Sequence, residues 1–318
     1  MKAIGLAITR EEGGIGDFLG VKIEVRGDGT IKLSQPHLID EILSDLGLTG
    51  DSVKGKATPM ASSRILSRHL DSDDFDEEKF GFKYASVIGK LNYLEKCTRM
   101  DISYASHQCA RFTHCPKVEH GRALKWLGRY LHATRKEGLI LRPNGDSFDC
   151  YVDADWMGNW DKNIAHWDMD TARSRTGYVI AYGGCPFVWS SGLQSMCATS
   201  STEAEIIALS SATREVLFLM QLLKEIKAHG LIDTDCHPKI HCKVYEDNAG
   251  AIEIATTHKV RPRTKHLNVL MQQARYFVSV TKEISVLPIH TEDQLADLLT
   301  KPVDEATMLR LRPRLLGF

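Results

Sequence analysis

Three features of this 318-residue sequence predict an α/β fold. Five short β-patterned runs lie in the second half, at 149–155, 176–182, 186–190, 240–245 and 284–287, with helix patterns between the later ones. The first half is mostly helix-patterned and opens on a β-hairpin pattern. Composition favours buried cores, with 43% hydrophobic and 25% charged residues. The length suits about two domains of roughly 150 residues each.

In chain order, residues 17–25 read as a strand, Arg26 to Thr30 as a Gly/Asp turn and 31–33 as the returning strand. Ser34-Gln35-Pro36 opens a helix, with Ser as N-cap and Pro in the first turn; Leu38, Ile42, Leu43 and Leu46 keep its period, and Gly47 ends it. Residues 51–83 read as a connection containing an acidic run from Asp71 to Glu78. Helix patterns follow at 84–94 and 102–112, and a third starts at Pro116 with Ala123, Leu124, Leu127 and Leu131 on one side. A short strand is expected at 138–141. Residues 1–145 hold no catalytic constellation.

In the second half, the first three strands follow one another and suggest an antiparallel meander. Ser200, Ser201 and Thr202 are capping candidates for the long helix that follows. No apolar run approaches the ~20 residues of a membrane span, and the start lacks a signal-peptide pattern, so a soluble intracellular protein is expected. The eight cysteines form no CxxC pair and are expected as free thiols. A net charge of −1 does not advertise nucleic-acid binding. Basic clusters at 258–266 and 310–314 are local exceptions.

The chemistry-bearing residues are acids. Tyr151-Val152-Asp153-Ala154-Asp155-Trp156 places two carboxylates at i and i+2, on one face of a strand. Glu205 heads the apolar stripe Ala208, Leu209, Ala212, Val216 and Leu219, whereas Glu203 is expected on the wet face. A carboxylate at the core end of such a stripe is costly without a cation or metal, which favours Glu205 as the ligand. Asp247 stands at a strand–helix junction, where a helix cap is the competing role. Asp297 lies beside Leu295, Leu298 and Leu299 in a helix pattern that Thr291 to Gln294 would open as a capping box. Asp153, Glu205, Asp247 and Asp297 are read together as a site for two divalent metal ions that cuts a phosphodiester bond.

The motifs carry a resemblance. Phe18 to Ile23, Gln35 to Leu43, Tyr84 to Tyr93 and Thr98 to Ala105 resemble the C-terminal part of a copia-type retrotransposon reverse transcriptase. Val152 to Trp156, Ser174 to Tyr178, Ser200 to Glu205, Glu246 to Asn248, Arg263 to His266 and Gln294 to Lys301 are similar to the ribonuclease H domain of the same elements. The resemblance implies residues 1–145 as the palm end, thumb and connection, 146–303 as a ribonuclease H-like domain and 304–318 as a basic tail. The implied fold is a mixed five-stranded sheet flanked by helices, preceded by the mostly α remnant with its hairpin.

The implied activity is metal-dependent endonucleolytic cleavage of RNA in RNA–DNA hybrids; the alternative is an inactive remnant that only binds nucleic acid. Two Mg²⁺, or Mn²⁺ in their place, would be held by Asp153, Glu205, Asp247 and Asp297, with Asp155 a stand-in for Asp153. His290 would shuttle protons, a surface histidine being the competing role. Arg261, Arg263, Lys265 and His266 would contact the backbone of the hybrid. The implied partner is the upstream palm and fingers of a parent polyprotein. No Tyr-x-Asp-Asp polymerase motif occurs in this sequence. Ser190 to Gln194 lacks the expected lysines, and Leu267-Asn268-Val269 departs from the family pattern.

Overall fold

The computed structural model describes residues 16–62, 66–68, 72–230, 240–257 and 265–318. Their strands form two sheets. The first is antiparallel, in the order β1 (Asp17–Phe18), β2 (Val21–Val25), β3 (Ile31–Ser34) and β4 (Leu139–Leu141). The single strand expected over 17–25 is two, because the chain reverses at Leu19 and Gly20, both at positive φ. α1 (Pro36–Asp45) starts after Gln35 rather than Ser34. The stretch read as a connection contains α2 (Glu77–Phe80), capped by the Asp76 carboxylate. α3 (Tyr84–Cys97), α4 (Ser103–Ala110) and α5 (Val118–Ala133) pack with α1 around Ile42, Val87, Leu91, Leu94, Leu124 and Leu127. Three- and four-residue spacing brings these apolar side chains to one side of each helix.

The second sheet has five strands in the order β7-β6-β5-β8-β9. They are β5 (Phe148–Asp155), β6 (Arg175–Tyr182), β7 (Cys185–Leu193), β8 (Cys242–Glu246) and β9 (Ile284–Pro288). β5, β6 and β7 pair antiparallel, as the meander predicts, whereas β5–β8 and β8–β9 are parallel. This is the mixed five-stranded sheet expected, flanked by helices. Alternation in β5 buries Cys150, Val152 and Ala154 in one core with Leu209, Ala212 and Val216 of α6 (Ser201–Ala228). By length and composition α6 could cross a membrane, contrary to the sequence expectation, yet it lies on the sheet as a core helix. α7 (Ala249–Thr256), α8 (Lys265–Leu270) and α9 (Gln272–Arg275) follow β8, and a π-type turn at Tyr276–Val280 leads to β9.

The other side of the sheet is covered by α10 (Asp297–Thr300) and α11 (Glu305–Leu316). Residues 304–318, expected as a basic tail, are therefore mostly a packed helix. Asp304 caps it, and Met308, Leu311, Leu315 and Leu316 are buried. Its arginines are used: Arg312 lies 3.1 Å from Glu137 and Arg314 lies 2.6 Å from Asp293. The core around α11 combines Met100 and Leu139 of the first half with Val179, Leu295, Leu298 and Leu299 of the second. It crosses the boundaries expected at 145/146 and 303/304.

Candidate active site

The acids converge because each sits near the end of an element, Asp153 and Asp247 where the parallel neighbours β5 and β8 finish at the same end of the sheet. Asp153, 3% exposed, is in the last turns of the β5 pleat, directly opposite Gly177 of β6. A Cβ on Gly177 would fall 2.6 Å from Thr300 Cγ2 and 3.0 Å from Leu299 Cβ. Glycine thus lets α10 lie against the strand. In that position the Thr300 hydroxyl donates to Asp153 Oδ2. Ser191 Oγ donates to the Leu299 carbonyl at 2.6 Å, and Gln294 Nε2 to the Val152 carbonyl at 2.8 Å. The Ser190 to Gln194 stretch that departs from the family pattern is used here: Ser191 also accepts from Arg175 at 3.0 Å, and Gln194 donates to the Ala204 carbonyl at 2.8 Å.

Glu205 enters from α6. The Ser200 hydroxyl accepts the Glu203 N–H at 3.2 Å, and the Glu203 carboxylate accepts from Thr199 N–H at 2.7 Å and Thr199 Oγ1 at 2.6 Å. Glu203 is therefore buried, 8% exposed, and not on a wet face. The reason is reciprocal capping, in which a glutamate at the third helical position folds back over the helix start. Glu205 is 6% exposed, and its Oε2 has no hydrogen-bond partner among the described residues.

Asp247 follows β8 without capping α7. Asn248 is the cap, its Oδ1 accepting the Ala251 N–H at 3.0 Å. Asp247 is instead held by Thr291, whose hydroxyl donates to Oδ2 at 2.8 Å. Thr291 opens a 3-10 turn, Thr291–Asp293, and does not cap α10 as expected. One carboxylate oxygen each from Asp153, Glu205 and Asp247 lies within 4.8 Å of the others.

Asp297 is not among those three oxygens. It is buried beside them, 5% exposed, with Oδ1 2.9 Å from Lys301 Nζ. His290 is exposed and immediately precedes Thr291. Arg261 and Arg263 lie outside the described residues; Lys265 and His266 begin α8, and their side chains lie outside them too.

Burial, then the neighbouring Glu246, Asp153 and Asp247, pushes Glu205 up to about 11. Burial and the Asp153 charge push Asp297 to about 7 and Asp155 to about 6. Asp153 is also raised, chiefly by burial, although Lys301 and the Thr300 hydrogen bond oppose the rise. Burial works against the Lys301 ammonium, but Asp153 and Asp297 outweigh it and hold the proton on. Sequence reasoning missed Glu246, which is fully buried beside this group and raised well above the ordinary range, mainly by burial. Its Oε1 accepts the Asn248 N–H at 3.0 Å, and its Oε2 has no partner among the described residues. Strand alternation through Cys242, Val244 and Glu246 carried that signal. Gly177, Thr300 and Lys301 were also missed as contributors, although each stands in a quoted motif.

Glu205 Oε2, buried and without a hydrogen-bond partner among the described residues, converges with carboxylates of Asp153 and Asp247 from two other parts of the fold, and such an all-oxygen set fits a hard divalent cation. The chemistry of the site is thus consistent with a divalent metal centre.

No family model matches the chain. It is 32% identical over 289 residues to the retrovirus-related Pol polyprotein from transposon TNT 1-94 of Nicotiana tabacum, a match covering 90% of this chain and 20% of that protein. It is 34% identical over 287 residues to the corresponding polyprotein from transposon RE1 of Arabidopsis thaliana, covering 90% of this chain and 18% of that one. The chain spans about a fifth of the length of these relatives. The solved structure of LC11-RNase H1 in complex with an RNA/DNA hybrid matches 48% of this chain and 94% of its own, at 14% identity and a TM-score of 0.33.

Proposed function

Given a chain that belongs, over 90% of its length, to the Pol polyproteins of copia-type retrotransposons, we propose that its second half is a ribonuclease H, a metal-dependent endonuclease acting on RNA paired with DNA. The first half is then the closing part of a reverse transcriptase, and its partner the palm and fingers of the parent polyprotein. The carrying observation is the convergence of Asp153, Glu205 and Asp247 within 4.8 Å.

Two Mg²⁺ held by Asp153, Glu205, Asp247 and Asp297 would supply Lewis acidity at the scissile phosphate for both the entering water and the departing 3′ oxygen. The chain's own residues prepare that site. Thr300 and Thr291 fix one oxygen each of Asp153 and Asp247. Lys301 offsets part of the crowded negative charge next to Asp297. His290, exposed and next in sequence to the threonine that holds Asp247, would carry protons between solvent and the site. Arg261, Arg263, Lys265 and His266 would bind phosphates, and the hybrid would be read by its shape and 2′-hydroxyls.

Cleavage of a labelled RNA–DNA hybrid in magnesium tests the proposal. The parent should cut, and Asp153→Asn and Asp247→Asn should not. Equal cleavage by parent and variants would refute the assignment. Hybrid binding without cleavage by the parent would favour the inactive remnant.

A further inference from the structure

The connection between β5 and β6, residues 156–174, is far longer than adjacent antiparallel strands need. Its polar groups point inward. Asn159, 4% exposed, accepts from Gln108 Nε2 at 3.1 Å. Asp168, 5% exposed, accepts from Ser67 Oγ at 3.2 Å and Arg68 N–H at 3.1 Å. Asp170 lies 3.0 Å from Arg173 and 3.5 Å from Arg68. Three anchors thus tie the connection to itself and to the first half of the chain.

The large apolar groups point outward. Trp160, Trp167 and Met169 are 46%, 69% and 71% exposed. A segment held by buried polar bonds has no need of these rings for its own stability, and indoles are seldom left this open. The charges are sorted in the same sense. The exposed ionisable side chains of the connection are Lys162 and His166, and Arg68 is exposed beside it. Its acids are buried or half-buried: Asp161 accepts the Asn163 N–H at 2.8 Å, and Asp168 and Asp170 are the anchors.

The connection also borders the acid cluster. A Cβ on Gly158 would fall 1.6 Å from Asp155 Oδ2, so the chain runs directly over that carboxylate. Trp156 Nε1 donates to the Ala198 carbonyl at 3.1 Å, in the segment that leads into α6 and Glu205.

We infer that Trp160 and Trp167 form a stacking surface for unpaired bases of a nucleic-acid strand adjoining the cleavage site. This rests on the nuclease reading. Open rings on a connection that exposes Lys162, with Arg68 beside it, suit a strand with free base faces, whereas bases inside a duplex are already stacked. Stacking of a single base corresponds to roughly tenfold in affinity, and a second base would add to it.

The test is anisotropy with two fluorescein-labelled hybrids in EDTA, one blunt and one carrying a single-stranded RNA extension. The full chain should bind the extended hybrid about tenfold more tightly. Trp160→Ala combined with Trp167→Ala should bring the ratio of the two affinities close to one, and Trp160→Phe with Trp167→Phe should restore much of it. A parent with no preference, or an alanine variant that keeps it, would overturn the inference. Both tryptophans are exposed, so thermal melting should match the parent. Cleavage of the blunt hybrid by the parent in magnesium reads the nuclease assignment separately. Binding of labelled single-stranded RNA reads the stacking surface even if that assignment fails.

Discussion

Both halves of the molecule bury charge, but they treat it in opposite ways. In the first half Arg99 and Asp101 are fully buried. Arg99 Nε and Nη2 donate to the two Asp101 oxygens at 2.9 and 2.8 Å, and Tyr130 donates to the same carboxylate at 2.6 Å. Burial works to raise Asp101, yet Arg99 holds it below the usual carboxylate range. In the second half Asp153, Glu205, Glu246 and Asp297 are buried together, with Lys301 the cation beside them. Glu205 is pushed up to about 11. Matched charge of the first kind serves architecture, whereas mismatched charge of the second kind is retained where chemistry needs it.

The sharpest way to break this comparison is to remove one charge from each half. Asp153→Asn should lower hybrid cleavage on the order of a thousandfold. The same change should stabilise the metal-free protein by about 1 kcal/mol, because it relieves crowding of acids. Arg99→Met should do the reverse, costing roughly 3–5 kcal/mol by stranding Asp101. Urea titrations in EDTA check the signs. Two changes of the same sign and size would erase the distinction.

A smaller effect is expected at Gly177. Gly177→Ala should cost about 1–3 kcal/mol, since α10 must retreat from β6. Cleavage should fall more than stability does, because Thr300 and Asp297 retreat with the helix. Paired melting and cleavage measurements decide it.

The mildest probe is pH. Asp155 and Asp297 are raised, mainly by burial, to about 6 and 7. A raised carboxyl holds its proton more tightly in the folded state. Its stabilisation is complete below the unfolded value, about 4, and is lost as pH rises through the folded one. Melting temperature in EDTA should therefore fall between pH 5 and pH 8, and magnesium should recover the loss at pH 8. Asp101 contributes in the other sense: its stabilisation is present above its unfolded value and fades only in stronger acid. A rise from pH 5 to pH 8 in EDTA would contradict this account.

Local pattern made much of this legible. Alternation in β5 separates Asp153 and Asp155 from Cys150, Val152 and Ala154, and the stripe headed by Glu205 marks the buried side of α6. What stayed hidden depends on contacts between distant residues. Strand alternation marks Glu246 as buried, but nothing near it in sequence reveals that its Oε2 goes without a partner among the described residues beside Glu205. Gly177 looks like any strand glycine until α10, more than a hundred residues on, lies against it. The arginines of α11 read as a solvated tail because their partners, Glu137 and Asp293, are remote or on another element. Glu203 is different. Its pattern with Ser200 is a capping box, and in the first turn of a helix capping decides burial before the apolar stripe does.

The shared core beneath α11 has a consequence for any processing of a longer precursor. Leu311, Leu315 and Leu316 share a core with Leu139, and the Gly317 backbone passes so near the Ile140 carbonyl that a Cβ would fall 2.1 Å from it. Scission just ahead of Phe148 would bare a greasy seam on both products. A maturation scheme that yields a durable second half must therefore leave the segment carrying Met100 and Leu139 attached, or keep it bound as a separate piece.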